Sequence, residues 1–432
     1  MSRTGLASLH VRLFIAGLSL LANAGAAWAQ HGAPTPFTKE VESHFDQWDR
    51  NHNGTLEAAE IDVLVVDPEI KGSTAAAVAC LKAAQRSGKF ELPALTLDYF
   101  HGYEADVAQG KKPSPPFDQS FSRGVKRITK TKRDLFADGV PSLEACHQGP
   151  LGDCFFVAVV GASIVRNPED VHSMITQQSD GSIDVSFPNG RKAHVPGLTD
   201  AELALTSTTG SDGLWLSVLE KAYGKIRNDS LPEEKQTEST TDAIARGGST
   251  TTTIRLMTGH TVDRVSFRPR QGGRAQHRPD GDKKPEVGKK PDDDAKPAEK
   301  PAAPAIDPAV LQAHLDATLP KLREQLVEAI GNHKLIAAGT PKDGTMPPGV
   351  NGNHAYAVLG YDRTTDKVHL WNPHGNTFKP KGEPGLENGY PTRAGHFDMP
   401  LTEMGKVFAA ITIETDQPEK PDSSHTPGKD RL

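Results

Sequence analysis

The chain has 432 residues, 36% of them hydrophobic, and its 49 basic and 55 acidic side chains leave a net charge of −6. This length suggests two or three domains, and the near-neutral charge argues against a protein built to coat nucleic acid or an anionic membrane. Three cysteines are too few for a disulfide scaffold. Composition therefore excludes fibrous, disulfide-stapled and polytopic membrane classes of protein, and the function must be inferred from sequence motifs.

Residues 1–29 are typical of a secretory signal peptide. Arg3 and Arg12 are basic, residues 13–22 are apolar, and Ala27-Trp28-Ala29 is a small-residue cleavage signal. The alternative is an uncleaved anchor, for which the apolar run is short. We predict cleavage after Ala29 and a secreted or periplasmic protein with no membrane association after cleavage.

Two stretches lack the apolar residues that a core requires. Residues 268–304 are rich in charged residues and proline, so they cannot bury enough surface to offset the entropy of ordering. We predict a disordered insertion there, in preference to a basic anion-binding arm, and a disordered tail over 416–432. The remainder divides into a small N-terminal block over 37–105 and a large block over about 119–415.

A calcium-binding loop is predicted over 49–60, which matches the twelve-residue EF-hand pattern. Ca²⁺ prefers oxygen ligands, and Gly54 at position 6 permits the sharp turn that brings them together. Leu56 at position 8 can pair with a partner loop, and Glu57 at position 9 can act through a water. The alternative is a turn that binds nothing. The expected ligands are Asp49, Asn51, Asn53, the Thr55 backbone carbonyl and a bidentate Glu60.

A second, degenerate hand is predicted over 72–103 as a packing partner for the first. Ser87-Gly88-Lys89-Phe90 mimics positions 5 to 8 of the loop. Positions 1 and 12 would then be Ala83 and Ala94, and alanine cannot ligate a cation. We therefore expect Ca²⁺ as the cofactor, bound at the first loop.

A candidate nucleophile, Cys154, precedes the apolar run from Phe155 to Val165. Glycine and proline just ahead indicate a tight entry into a buried helix, whose unpaired N–H groups stabilise a thiolate. Gln148 can return its side-chain amide to the same point, and an amide beside a backbone N–H is the make-up of an oxyanion hole. The alternative is a buried structural cysteine.

The partners of this nucleophile are predicted about 200 residues later. A strand over 352–361 and a return strand over 368–373 would place His354 and Asn372 side by side. His354 would take the thiol proton, and Asn372 would accept from the other ring nitrogen. A lone histidine in a strand is more often structural, but the order Cys, His, Asn with flanking glycines favours catalysis.

These motifs resemble those of the calpain family of cysteine proteases. Gln148–Cys154 resembles the nucleophile motif, Gly352–Val358 the histidine motif, and Trp371–Gly375 the asparagine motif. The likeness extends over about 119–415, apart from the insertion. Three smaller stretches agree in order, namely 214–223 with a core helix, 247–250 with the join between lobes, and 396–401 with a closing strand.

The resemblance implies an α+β, papain-like fold of two lobes. A helical lobe over 119–248 would carry Cys154, and a sheet lobe over 249–415 would carry His354 and Asn372. It also implies calcium-dependent endoproteolysis through a thioester acyl-enzyme, with Gln148 as the oxyanion donor. We expect a monomer that acts on protein or peptide substrates and has no nucleic-acid partner.

Departures from the family pattern leave alternatives open. Phe155 and His374 stand where the family has tryptophan, the EF-hand block precedes the protease, and no trailing β-sandwich domain is evident. One alternative is a catalytically impaired relative that acts as a calcium-binding interaction module, and another is acyl transfer to an amine. Cys80 and Cys146 form either a disulfide or two buried thiols.

Overall fold

The computed structural model describes residues 33–87, 90–137, 139–269 and 306–419. The predicted signal peptide lies outside these residues, as do the predicted insertion from 270 onward and the tail from 420. Helices combine with two antiparallel sheets, so the fold class is α+β. Among the described residues, every helix is too short or too polar to cross a membrane.

The chain folds into two compact units. Unit 1 comprises the described residues up to 249 together with 256–259, and unit 2 comprises 250–255 and the described residues from 260 to 419. The helix Thr250–Thr258 contributes residues to both. Each unit is described by itself.

Unit 1 is mainly helical. Its first helix begins with Thr35, which caps the helix by accepting from the Thr38 N–H, and with Pro36, whose missing N–H costs nothing at that position. The helices are α1 (Pro36–Trp48), α2 (Ala58–Val66), α3 (Gly72–Arg86), α4 (Leu97–Ala108), α5 (Phe117–Lys130), α6 (Cys154–Arg166), α7 (Pro168–His172), α8 (Asp200–Leu205), α9 (Trp215–Asp229) and α10 (Thr241–Ala245), with a 3-10 turn at Glu233–Lys235.

The N-terminal block packs directly onto the helices that follow it. Phe37 of α1 stacks on Phe117 of α5 with ring centroids 4.6 Å apart. Gly124 of α5 meets Ala76 of α3, where an added Cβ would lie 3.3 Å from the alanine methyl. Both α5 and α8 pack against α3. The block predicted over 37–105 therefore shares one core with the residues after 117, because aromatic and small residues on both sides interlock.

A small sheet in unit 1 was not predicted. It contains β1 (Ile175–Gln177), β2 (Ile183–Ser186) and β3 (Lys192–Val195), all antiparallel. Ile183 and Val185 are buried while Ser186 is exposed, which is the alternation of a strand with one covered face. The lobe predicted as helical over 119–248 thus also contains strands.

Unit 2 is built on a six-stranded antiparallel sheet. Its strands are β4 (His260–Ser266), β5 (Ile336–Gly339), β6 (Ala355–Asp362), β7 (Lys367–Trp371), β8 (His396–Pro400) and β9 (Ala410–Pro418), and its helices are α11 (Thr250–Thr258), α12 (Pro308–Gly331) and α13 (Leu401–Val407). The strand order is β4-β9-β5-β6-β7-β8. The long helix α12 packs against β6 through its buried leucines.

Two predicted boundaries in unit 2 are corrected. Strand β9 continues to Pro418, which pairs with His260, so the first residues of the predicted tail belong to the sheet. Arg268, the first residue of the predicted insertion, donates to the carbonyls of Gly405 at 3.2 Å and Lys406 at 3.0 Å. A cation at the last carbonyls of a helix is favourable, which explains why order extends to this residue.

Candidate active site

The segment before Cys154 makes a tight turn into α6. Gly149 approaches the backbone so closely that an added Cβ would lie 2.1 Å from the Thr206 carbonyl oxygen. Gly152 has a φ of +77°, which favours glycine. The turn places Cys154 as the first residue of a helix whose next ten residues are all buried, and the cysteine itself is half-buried. The predicted position of the thiol at a buried helix N-terminus is therefore observed.

Gln148 lies against this helix start. The backbone N–H groups of Cys154 and Asp153 both point at its carboxamide, which assigns the side-chain oxygen to that side, where it accepts from them at 3.1 and 3.2 Å. The two groups predicted to face one oxyanion are thus adjacent. In this arrangement the Gln148 oxygen is bonded to the Cys154 N–H. Before both groups can donate to one substrate oxygen, the carboxamide must rotate so that its NH₂ points toward that oxygen.

Two buried carboxyl groups lie beneath the turn, which the sequence reasoning missed. Asp153 and Glu220 are fully buried, and each affects the pKa of the other. Burial raises the pKa of both, and the charge of Asp153 raises the pKa of Glu220 further. Burial therefore favours the neutral form of both acids, and most strongly that of Glu220.

Ser207 connects this carboxyl pair to the turn. Its backbone N–H donates to Glu220 Oε2 at 2.7 Å, and its hydroxyl donates to Glu220 Oε1. The same hydroxyl accepts from the Gly149 N–H at 3.1 Å. The carboxyl group of Glu220 is therefore part of the framework that shapes the segment before the thiol.

The other two cysteines are thiols and not a disulfide. Cys80 packs near the Phe117 carbonyl, and Cys146 donates to the Ser142 carbonyl at 3.3 Å. Burial raises the pKa of Cys80 to about 12 and the pKa of Cys146 well above its usual value. Of the two alternatives from the sequence, the structure has two buried thiols, which are unreactive because they resist ionisation.

In unit 2, His354 immediately precedes β6, and Asn372 immediately follows β7. The two strands pair with Ala357 opposite Trp371, so both residues lie at one end of the pair. His354 Nε2 lies 2.8 Å from Asn372 Oδ1. The predicted pair is therefore brought together, although its members flank the strands instead of lying within them.

The Asn372 amide is held in one orientation by its neighbours. Its Nδ2 donates to Asn351 Oδ1 at 3.0 Å and to Asn376 Oδ1 at 2.9 Å, and its Oδ1 accepts from the His374 N–H at 3.0 Å. Because Oδ1 can only accept, His354 Nε2 carries the proton, and in the neutral ring Nδ1 is the basic nitrogen. The side chains of Asn351 and Asn376 were not predicted, although Asn351 lies three residues before His354.

Burial, and after it the neighbouring His374, lowers the pKa of His354 to about 3, against the opposing effect of the hydrogen bond to Asn372. The His374 ring lies over the His354 ring with centroids 4.3 Å apart and planes inclined by 32°. Tyr356 meets the His354 ring edge-on at 5.0 Å. At neutral pH the imidazole is therefore uncharged, as a general base must be before it accepts a proton.

The predicted calcium loop joins α1 to α2. Asp49 and Glu60 are 5% and 7% exposed, and Asp49 accepts from the backbone N–H groups of Asn53 at 3.1 Å and Gly54 at 2.7 Å. Glu60 accepts from the N–H of Asn51 at 3.3 Å and of Glu57 at 2.9 Å. Gly54 has a φ of +78°. These hydrogen bonds fold the loop round its two buried carboxylates, a donor set that suits a hard dication.

Glu57 orients the two asparagines of the loop. Its carboxylate oxygens accept from Asn51 Nδ2 at 3.2 Å and from Asn53 Nδ2 at 3.1 Å. The asparagine oxygens in turn accept from backbone N–H groups, Asn51 Oδ1 from Asn53 at 3.0 Å and Asn53 Oδ1 from Thr55 at 2.9 Å. Glu57 thus positions neighbouring candidate ligands, a role the sequence reasoning did not assign.

The loop pairs with the segment between α3 and α4, as expected, but with a different residue of that segment. The Leu56 N–H donates to the Leu95 carbonyl at 3.0 Å. The prediction placed Phe90 at the equivalent position, and Gly88 and Lys89 lie outside the described residues. A separate group, Glu42, His101 and Glu104, brings its potential ligand atoms within 4.8 Å of one another between α1 and α4.

Comparison with known families and curated proteins identified no relative of this chain. No known family model matches the chain, and no curated protein matches it. The functional interpretation therefore rests on the side chains described above.

Proposed function

We propose that the chain is an exported, calpain-like cysteine endopeptidase with a papain-like arrangement of two lobes. Cys154 is the nucleophile, His354 the general base and acid, and Asn372 the residue that orients the imidazole. The hydrogen bond from His354 Nε2 to Asn372 Oδ1 at 2.8 Å carries the proposal. It commits Nε2 to Asn372 and leaves Nδ1 as the nitrogen that accepts a proton.

In the acylation step, the Cys154 thiol transfers its proton to His354 Nδ1, and the thiolate sulfur attacks the carbonyl carbon of an extended peptide. The negative charge moves to the carbonyl oxygen, where the Cys154 N–H and the Gln148 side-chain NH₂ would stabilise it. As the C–N bond breaks, the imidazolium returns its proton to the leaving amine. The products of this step are a thioester on Cys154 and a free amine.

In the deacylation step, His354 Nδ1 takes a proton from water, and the hydroxide oxygen attacks the thioester carbonyl. The C–S bond breaks, the thiolate recovers a proton from the imidazolium, and a carboxylic acid is released. The proposal requires the thiol sulfur and His354 Nδ1 to meet at hydrogen-bonding distance in the active protein.

We further propose that Ca²⁺ binds the loop over 49–60. The side chains of Asp49, Asn51, Asn53 and Glu60 and the backbone carbonyl of Thr55 would hold it. The ion would neutralise the two buried carboxylates and stabilise the junction between α1 and α2. Its part is structural, and no step of the reaction passes through it.

A second candidate function is a calcium-binding interaction module with an impaired protease fold. It is favoured by Gln148, whose oxygen now accepts from the N–H that an oxyanion would need. His374, in place of the family's tryptophan, also disfavours a charged His354, because the second ring lowers its pKa.

The decisive experiment is cleavage of a denatured protein substrate by the mature chain under reducing conditions, with Ca²⁺ or with a chelator. Cys154→Ala should reduce turnover by more than about a thousandfold. Cys80→Ala is the matched control, because it removes a buried thiol and should retain activity. An added amine acceptor distinguishes acyl transfer from hydrolysis by the product formed.

The calcium arm uses Glu60→Gln, which should raise the Ca²⁺ concentration needed for binding by about tenfold or more. Glu42→Gln is its control, because it removes an acid from the other cluster on α1. Folded wild-type protein that cleaves nothing in Ca²⁺ would contradict the protease assignment and favour the interaction module.

A further inference from the structure

Asn376 links the loop before β6 to the amide that contacts His354. Its Nδ2 donates to the Gly349 carbonyl oxygen at 3.2 Å, and its Oδ1 accepts from Asn372 Nδ2 at 2.9 Å. Asn372 Oδ1 in turn lies 2.8 Å from His354 Nε2. A series of hydrogen bonds therefore runs from a backbone carbonyl, through two carboxamides, to the imidazole.

The direction of these hydrogen bonds is fixed at both ends by backbone groups. A carbonyl oxygen can only accept, so Gly349 holds the NH₂ of Asn376 toward itself and leaves the Asn376 oxygen facing Asn372. At the other end the His374 N–H can only donate, and it donates to Asn372 Oδ1 at 3.0 Å. A reversed Asn372 carboxamide would place its NH₂ against this N–H and its oxygen against the Asn376 oxygen, and both contacts are unfavourable.

Close packing holds the Gly349 carbonyl in place. Gly349 has a φ of +82°, and an added Cβ would lie 2.6 Å from the Phe378 ring. An added Cβ on Gly389 would lie 2.0 Å from the Pro348 carbonyl oxygen. Phe378 itself exchanges two backbone hydrogen bonds with Thr392, each of 2.9 Å. The loop before β6 therefore has little room to move, because its neighbours are at contact distance.

A second asparagine contacts Asn372 but is less able to orient it. Asn351 Oδ1 accepts from Asn372 Nδ2 at 3.0 Å. Asn351 is exposed, whereas Asn376 is half-buried and Asn372 is fully buried. Water can replace an exposed acceptor more readily than a half-buried one. The loss of Asn376 should therefore disturb Asn372 more than the loss of Asn351.

We propose that Asn376 is a positioning residue for the general base, and that it holds the proton of the neutral His354 ring on Nε2 by fixing the orientation of Asn372 relative to the Gly349 carbonyl. Nδ1 is then left to accept the thiol proton. With Asn372 reversed, its NH₂ would donate to Nε2, and the ring proton would lie on Nδ1, which could not then accept from Cys154. This inference rests on the proposed role of His354, and it adds a residue that acts on the base without touching substrate.

The test measures the tautomer of His354 directly. NMR of the imidazole nitrogens at neutral pH, in the full mature chain with histidine labelled and Cys154→Ala as background, distinguishes a proton on Nε2 from one on Nδ1. The His354 signals are identified by their loss in His354→Ala. Steady-state kinetics on a fluorogenic peptide, in chains that retain Cys154, gives kcat and KM for the same variants.

The variants separate the two hydrogen bonds of Asn376. Asn376→Leu removes both at nearly constant side-chain size, whereas Asn376→Asp keeps an acceptor for Asn372. Asn388→Leu is the matched control, because Asn388 Nδ2 donates to the Glu383 carbonyl at 3.0 Å, the same kind of bond elsewhere in unit 2. Asn351→Ala compares the exposed acceptor with the half-buried one.

Asn376→Leu is expected to lower the fraction of His354 protonated on Nε2 and to lower kcat by about tenfold or more, because the wrong tautomer disables the base. KM should stay unchanged, since the residue touches no substrate. Asn376→Asp should keep the proton on Nε2, and its negative charge should raise the pKa of His354. Asn351→Ala should show a smaller loss, and Asn388→Leu should match wild type.

Failure of this inference is distinguishable from failure of the proposed function. A wild-type ring with its proton on Nδ1, or the same tautomer or the same kcat in Asn376→Leu and wild type, would overturn the role of Asn376. A tautomer that changes in Asn376→Leu, in a chain whose wild type cleaves nothing, would support the positioning and contradict the protease. Circular dichroism identifies an unfolded variant. Asn376→Asp then decides, because an unchanged pKa of His354 in that variant overturns the inference.

Discussion

The two units hold their candidate catalytic groups in contrasting surroundings. In unit 1 the segment before Cys154 rests on buried charge, which includes Arg86 and the Asp153–Glu220 pair. In unit 2 His354 is held by the amide of Asn372 and by the rings of Tyr356 and His374. The difference is consistent with the two proposed roles, because a nucleophile must be ionised whereas a base must stay neutral and fixed in one tautomer.

The two units also differ in the groups that orient their key side chains. Glu220 is oriented by a backbone N–H and a hydroxyl of Ser207, and burial and the charge of Asp153 raise its pKa. Asn372 is oriented by two other asparagines. Unit 1 should therefore respond to pH and to charge substitutions, whereas unit 2 should respond to substitutions that alter hydrogen-bond geometry.

The largest effect is expected from removing the base in unit 2. His354→Ala should lower the rate of peptide hydrolysis by about 10²–10⁴-fold, the usual contribution of general acid–base catalysis. His369→Ala is the control, because this histidine lies on β7 and pairs with Asp398 at 2.8 Å. Steady-state kinetics on one fluorogenic peptide measures both variants. Equal activity of His354→Ala and wild type would contradict the proposal that unit 2 supplies the general base.

An intermediate effect is expected from the carboxyl pair in unit 1. Burial raises the pKa of Glu220 in the folded state, whereas an unfolded glutamate has a pKa of about 4.3. The folded protein therefore keeps a proton that the unfolded chain releases, so the stability from this group is complete below about pH 4 and falls as pH rises. Glu220→Gln removes this titration. From pH 5 to pH 8 the unfolding free energy should decrease in both proteins, and the decrease should be about 1–2 kcal/mol smaller in Glu220→Gln than in wild type.

Urea unfolding at pH 5 and pH 8 measures this difference in the two proteins. Glu234→Gln is the control, because Glu234 is exposed in the same unit. Equal pH dependence of Glu220→Gln and wild type would mean that the pair holds no proton, and the contrast between the units would lose its basis.

The smallest effect is expected from His374. The charge of His374 lowers the pKa of His354, after the larger effect of burial. His374→Phe keeps a ring against His354 and removes that charge, so the pKa of His354 should rise by less than about one unit. NMR titration of the imidazole C–H signals in a Cys154→Ala background measures it, with His369→Ala as reference. A lower pKa of His354 in His374→Phe would show that the His374 ring lowers this pKa by excluding water and not by its charge.

Local patterns in the sequence determined much of the candidate site. The apolar run after Cys154 predicts the buried helix α6, because a helix that is apolar all round must be buried. The spacing of oxygen side chains and Gly54 predicts the turn over 49–60, since that loop is made within twelve residues. The strands beside His354 and Asn372 follow from two apolar segments separated by a polar turn.

Tertiary structure decided the contacts between residues that are distant in the chain. Arg86 and Pro150 are 64 positions apart, and Phe37 and Phe117 are 80 apart. Neither pairing has a periodic or motif signal, because side-chain partners of this kind are selected by packing of whole helices. The same reason applies to Asp153 and Glu220, and to the join of the N-terminal block with the helices after it. The sequence by itself determined the chemical groups and their local frames, whereas only the fold decided which charges are buried beside them.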